Sequence, residues 1–182
     1  MKYILFCLLS ALLVGCASTS PATIGRTATA KQSESVVWTQ ELRSDDLANR
    51  YSVKLKTPDN TISGICILKK SGEEWRGTLI NEMGAKAFDF IVRDDKCELL
   101  NVISMMDKWY VRKTIASDLY YLFNVDNPQA SFHKTLECFE QDGNLVVNNK
   151  KKQIVVEQDG SVMLINNRHN LQYELRRIAE TD

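Results

Sequence analysis

Enzymatic chemistry needs reactive side chains at workable spacing, and this chain offers few. It has two histidines in 182 residues. His133 falls on an expected strand with no acidic or cysteine neighbour at ligand spacing. His169 lies in a polar loop, Asn166-Asn167-Arg168-His169-Asn170. Both read as loop or surface residues. Asp45-Asp46 and Asp94-Asp95 are adjacent carboxylates in expected turns, where neighbours point apart, so neither makes an acid–base dyad. There is no Gly-x-Ser-x-Gly elbow, phosphate loop or dinucleotide fingerprint. Lys150-Lys151-Lys152 reads as a solvated basic turn, with contact to an anionic lipid surface as the lesser reading. Cys66, Cys97 and Cys138 are an odd number without metal-ligand spacing. One disulfide with one free thiol is open to them, but burial as small apolar strand residues is the preferred reading. The expectation is a protein without catalytic residues or a metal.

A definite chemistry does stand near the start. Lys2 precedes an apolar run over residues 3–14, which has the length of a signal-peptide core and not of a membrane span. The run ends at Leu13-Val14-Gly15-Cys16. That box resembles the lipobox of bacterial lipoproteins. The resemblance implies cleavage before Cys16 and acyl chains on Cys16, which attach the protein to a membrane and are the only prosthetic group expected. Several chains, at about 0.8 kcal/mol per buried methylene, hold more firmly than one. In Gram-negative lipoproteins an Asp just after the acylated Cys favours the inner membrane. Ala17 and Ser18 stand here, so the resemblance implies the outer membrane. The first acid after Cys16 is Glu34. Without an acidic cluster of the kind that directs export to the cell surface, the periplasmic face is expected. Residues 1–15 are then a lipoprotein signal peptide. Residues 16–35 are the acylated Cys and a Ser/Thr/Ala-rich flexible tether, and residues 36–182 form a single β-rich domain. The 23 basic and 23 acidic side chains balance, so nothing supports nucleic-acid binding.

The elements that must position any site are mostly strands. Residues 51–57 alternate, and Pro58-Asp59-Asn60 turns the chain. Residues 61–69, 74–81, 86–93 and 97–103 read as four more strands. In the second, Ile62, Cys66 and Leu68 share one face and Ile65 and Ile67 the other. In the fourth, Phe88, Phe90 and Val92 share a face. The period then becomes helical. Ser104 to Asp107 resembles a capping box with Asp in place of Glu. A helix over 105–123 carries Val111, Ile115, Leu119 and Leu122 as its stripe, broadened by Trp109, Ala116, Tyr120 and Phe123. Lys113, Thr114, Ser117 and Asp118 form its polar side. Five strands follow, at 132–140, 144–149, 153–157, 161–166 and 171–178, with Asp-Gly hairpin signals at Asp142-Gly143 and Asp159-Gly160. Residues 36–49 read as a strand or a short helix, with Ser44-Asp45-Asp46-Leu47 as a candidate helix start. The expected fold is mainly β: a strongly curved antiparallel sheet or unclosed barrel of ten to eleven strands, with one long amphipathic helix inserted midway.

Asn81-Glu82-Met83-Gly84-Ala85-Lys86-Ala87-Phe88-Asp89-Phe90 resembles a turn and returning strand of uncharacterised outer-membrane lipoproteins of Bacteroidetes-type bacteria, a likeness covering residues 61–123. The layout is similar to lipoprotein carriers of the LolA/LolB type, which implies an unclosed barrel with helices in its mouth. Under that likeness the motif turn is Asn81, Glu82, Met83 and Gly84. The ligand cavity or its lid would be formed by Trp75, Phe88, Phe90, Met105, Met106, Trp109, Ile115, Leu119 and Leu122. A plain hydrophobic core and a hairpin-forming Gly84 account for the same residues. Two functions follow. One is a membrane-anchored periplasmic binding lipoprotein that shelters an acyl chain or another lipoprotein. The other is a non-enzymatic docking lipoprotein of an envelope assembly, with a filled core.

Overall fold

A computed structural model describes residues 48–179. The segments expected to be a signal peptide, the acylated Cys16 and a tether, and the element expected over 36–49 apart from its last two residues, lie outside the described residues. Alternating sequence becomes alternating burial in β1 (Asn49–Lys56), where Tyr51, Val53 and Leu55 point inward and Ser52, Lys54 and Lys56 outward. β2 (Thr61–Ser71), β3 (Glu74–Asn81), β4 (Lys86–Val92) and β5 (Cys97–Leu100) continue as an antiparallel meander. Helix α1 (Trp109–Phe123) follows. The second meander comprises β6 (Glu137–Gln141), β7 (Asn144–Asn148), β8 (Lys152–Val156), β9 (Val162–Asn166) and β10 (Leu171–Arg177).

The two meanders fuse because β1 pairs with β10, placing Val53 opposite Leu175 and Leu55 opposite Tyr173. The result is one unclosed, curved sheet of ten antiparallel strands in the order β5-β4-β3-β2-β1-β10-β9-β8-β7-β6. The helix joins the two outermost strands, so the chain leaves one edge and returns to the other. Its buried residues form a single cluster with inward side chains from both meanders, among them Leu68, Phe90, Ile154 and Leu164.

Several boundaries differ from the sequence-based expectation. β5 stops at Leu100 because Asn101 takes a left-handed conformation, φ 51°. The helix begins at Trp109 and not at Met105. Turn hydrogen bonds from Met106 N–H to the Ile103 carbonyl and from Lys108 N–H to the Met106 carbonyl occupy the preceding segment. The expected capping box does not form: Lys108 is the N-cap, without a side-chain cap bond, and the Asp107 carboxylate accepts from Arg112 at 2.7 Å. His133 lies in a short 3-10 turn, His133–Thr135, and not on a strand. Asp142-Gly143 is a two-residue hairpin turn with φ of 53° and 78°, the left-handed pair that a type I′ turn requires. Asp159-Gly160 instead sits in a longer turn, with a left-handed φ at Gly160 of the two.

Candidate functional site

The space between helix and sheet is where a ligand or a core must lie. Ile115, Leu119 and Leu122 of α1 are buried there. Beneath the helix C-terminus is an aromatic cluster. Phe123 lies 5.5 Å from Trp75 and 5.9 Å from Phe90, and Phe90 lies 6.2 Å from Phe88, as ring centroids. The sheet makes room at Gly77, where a β-carbon would come within 2.1 Å of the Phe90 ring. The structure therefore brings together Trp75, Phe88, Phe90, Ile115, Leu119 and Leu122, with Met106 against their margin. Met105 and Trp109 do not join them, being 77% and 76% exposed. The late helix start leaves both at the rim, where Trp109 meets Tyr110 edge-on at 6.0 Å.

A second part of the seat is polar. Asp118, expected on the solvent side, is 0% exposed. Residues 115, 118, 119 and 122 lie on one helical face, so an Asp three residues after Ile115 goes inward with the stripe. Its Oδ1 accepts from Asn166 Nδ2 of β9 at 2.7 Å and faces Lys152 Nζ of β8 at 2.8 Å. Its Oδ2 accepts from the Tyr173 hydroxyl of β10 at 2.9 Å. Lys152 also donates to the Ser117 carbonyl and hydroxyl, at 2.6 and 2.8 Å. Lys152 is thus no solvated turn residue; Lys150 and Lys151 are the exposed ones. Burial pushes the Lys152 pKa down, against the pull of Asp118. Burial, then the Asp118 charge, pushes the Tyr173 hydroxyl well up. A carboxylate with three partners and no exposed surface cannot reach a substrate. What it can do is pin α1 to three strands.

The motif turn is built by Asn81. Its Oδ1 accepts from the Met83 and Ala85 N–H groups at 3.1 and 2.8 Å, and Gly84 adopts φ 78°. Met83 projects from the tip, 89% exposed. Asp89, between Phe88 and Phe90, points outward and accepts from Asn101, Thr78 and Lys86 at 2.7, 2.8 and 2.9 Å. Burial works to raise its pKa, and those three bonds outweigh it and hold the carboxyl below its ordinary value. Two depressions adjoin these features. One of about 420 Å³ opens beside the motif turn, lined by Gly64, Ile65, Ile80, Asn81 and Glu82. The other, about 280 Å³, lies at the C-terminal end of α1 among Lys70, Trp75, Arg93, Asn124 and Asn127. Neither is lined by Ile115, Leu119 or Leu122, the stripe beneath the helix.

The three described cysteines are free thiols: Cys66 buried, Cys97 half-buried, Cys138 exposed. Burial as small apolar residues therefore fails for Cys138, because β6 lies at the sheet's edge. Burial pushes the Cys66 thiol up to about 12, from an ordinary value of 9.0. Burial and the Glu98 charge also push Cys97 up to about 12. The unfolded thiols ionise first, so the stabilisation from these groups is intact below about pH 9 and is lost as pH rises towards 12. Urea midpoints should hold from pH 7 to 8.5 and fall beyond pH 9, with a shallower fall in Cys66→Ala. An equal slope in that variant would assign the alkaline loss to other groups.

Neither a protein-family model nor a curated protein sequence matches the chain. Similar solved structures include a crystal structure of MucB, at 11% identity and a TM-score of 0.38, covering 81% of this chain and 60% of that one. A Pseudomonas aeruginosa MucA/MucB complex gives 10% identity and a TM-score of 0.42, covering 82% and 59%. Crystalline MucB in complex with MucA(peri) gives 10% and 0.38, covering 82% and 57%. The chain thus spans less than two-thirds of each of these proteins.

Proposed function

We propose that this protein is a non-catalytic docking lipoprotein of the bacterial envelope, held by acyl chains on Cys16 at the periplasmic face of the outer membrane. It binds a partner through its surface and not an acyl chain through its interior. The observation that carries this reading is the helix seat. Leu122, Phe90, Ile154 and Leu164 fill it, each 2% exposed or less, and the Asp118 cluster ties the helix across it. Sheltering a chain would require α1 to leave that seat, breaking the cluster and exposing Trp75 and Phe90 to water. The membrane address rests on the Leu13-Val14-Gly15-Cys16 box. Native mass spectrometry of the protein released from its membrane should show the acylated chain without additional bound lipid. A stoichiometric co-purifying lipid would return the acyl-shelter reading to first place. Metabolic labelling with palmitate should mark the wild-type chain and be lost in Cys16→Ala; persistent labelling would remove the anchor from the proposal.

A further inference from the structure

The sheet has two outermost strands, and they are treated differently. β5 is four residues long. Its Leu99 carbonyl accepts from Arg112 of α1 at 2.8 Å, and its Glu98 is held by Lys96 and Arg93. β6 pairs with β7 alone among the described residues, and all five of its residues are exposed. An open edge of this kind is a template for another strand.

The hairpin turn decides which groups face out. A two-residue Asp142-Gly143 turn makes Gln141 and Asn144 a hydrogen-bonded pair. Glu137, Phe139 and Gln141 therefore aim their backbone groups at β7, while Cys138 and Glu140 aim theirs at the open edge. On the outer face Phe139 stands opposite Val146, Val146 opposite Val155, and Val155 opposite Met163. That apolar row runs up to the edge and stops there. Glu137, Glu140 and Asp142 carry no ion pair among the described residues.

We infer that the open edge of β6 is the docking strand, and that it takes an extended partner segment in which an apolar residue alternates with lysines or arginines. This rests on the docking reading above and gives it a surface. The partner's backbone pairs with Cys138 and Glu140. Its apolar residues extend the Phe139 row, and its cations, on the opposite face, meet Glu140. A second copy of β6 fits less well, since it would bring two acidic edges together.

The test uses the acylated full chain in lipid nanodiscs, with two capped hexapeptides, alternating Lys–Val and alternating Glu–Val. The Lys–Val peptide should slow hydrogen exchange at the Cys138 and Glu140 amides roughly tenfold and leave Phe139 unchanged. The Glu–Val peptide should bind roughly tenfold more weakly. Glu140→Lys should reverse that preference. Cys138→Pro, which removes an outward N–H but none bonded to β7, should weaken Lys–Val binding with the fold retained. Equal binding of both peptides, or no slowing at Cys138 and Glu140, overturns the inference. So does a β6–β6 dimer that already protects those amides. A failed peptide with a lipid-free, filled seat sinks the edge alone, whereas a co-purifying lipid sinks the docking reading whatever the peptide does.

Discussion

Asp118→Ala should destabilise the protein by about 3–5 kcal/mol, the cost of breaking a buried ion pair from one side. The alanine would leave Lys152 Nζ, the Asn166 amide and the Tyr173 hydroxyl without the carboxylate they share. The Lys152 ammonium suffers most, because burial already disfavours its charge. It would have to shed its proton or draw water beneath the helix. Lys152→Met breaks the same cluster from the strand side and should also destabilise, because Asp118 has no exposed surface through which to rehydrate. The double variant Asp118→Leu/Lys152→Met is the informative comparison. Removing both charges together should recover most of the loss, since a well-packed apolar pair often matches a buried salt bridge. Urea unfolding measures all three. A wild-type midpoint in Asp118→Ala would mean that the helix is not pinned by this residue.

Phe90→Ala should cost about 3–5 kcal/mol, as is usual for truncating a buried phenylalanine. Phe90 is 2% exposed and sits between Phe88 and Phe123. Its ring lies directly over Gly77. Gly77→Ala alone should cost about 1–3 kcal/mol, because the added methyl presses into the Phe90 ring and Leu68. In the Phe90→Ala background the same methyl enters the vacated space, so the second substitution should cost less than it does alone. The double-mutant cycle reads that coupling. Strict additivity would show that the sheet yields at Gly77 independently of Phe90.

Periodicity made much of the site legible. The alternation in β1 and β4 announced which side chains point inward, and Phe88, Phe90 and Val92 do so. The apolar stripe of α1 found Ile115, Leu119 and Leu122 on the same principle. Asp118 lies beyond what periodicity and residue type convey together. A charged residue within an apolar stripe reads by its type as solvent-facing, although its helical position places it with the stripe. Its partners stand on β8, β9 and β10, far along the chain, and no local pattern couples them to it. Lys152 was hidden in the same way, as the last of three lysines that look alike in sequence. Met105 and Trp109 are the converse case, apolar in type yet exposed. They suit a helix face, but the turns before residue 109 place them beyond the sheet that would have covered them.

Local hydrogen bonding and side-chain period were sufficient to specify two antiparallel meanders, an Asp-Gly hairpin and an amphipathic helix between them. Each of those choices is made within a few residues. Long-range closure made the remaining choices. Pairing β1 with β10 brought the two meanders into one sheet and gave the helix a single seat. That seat buried Asp118 with Lys152 and packed the side chains of both meanders against the helix. Among the described residues it also left β5 under the helix and β6 open, because a sheet that does not close must end in two edges and α1 covers only one of them.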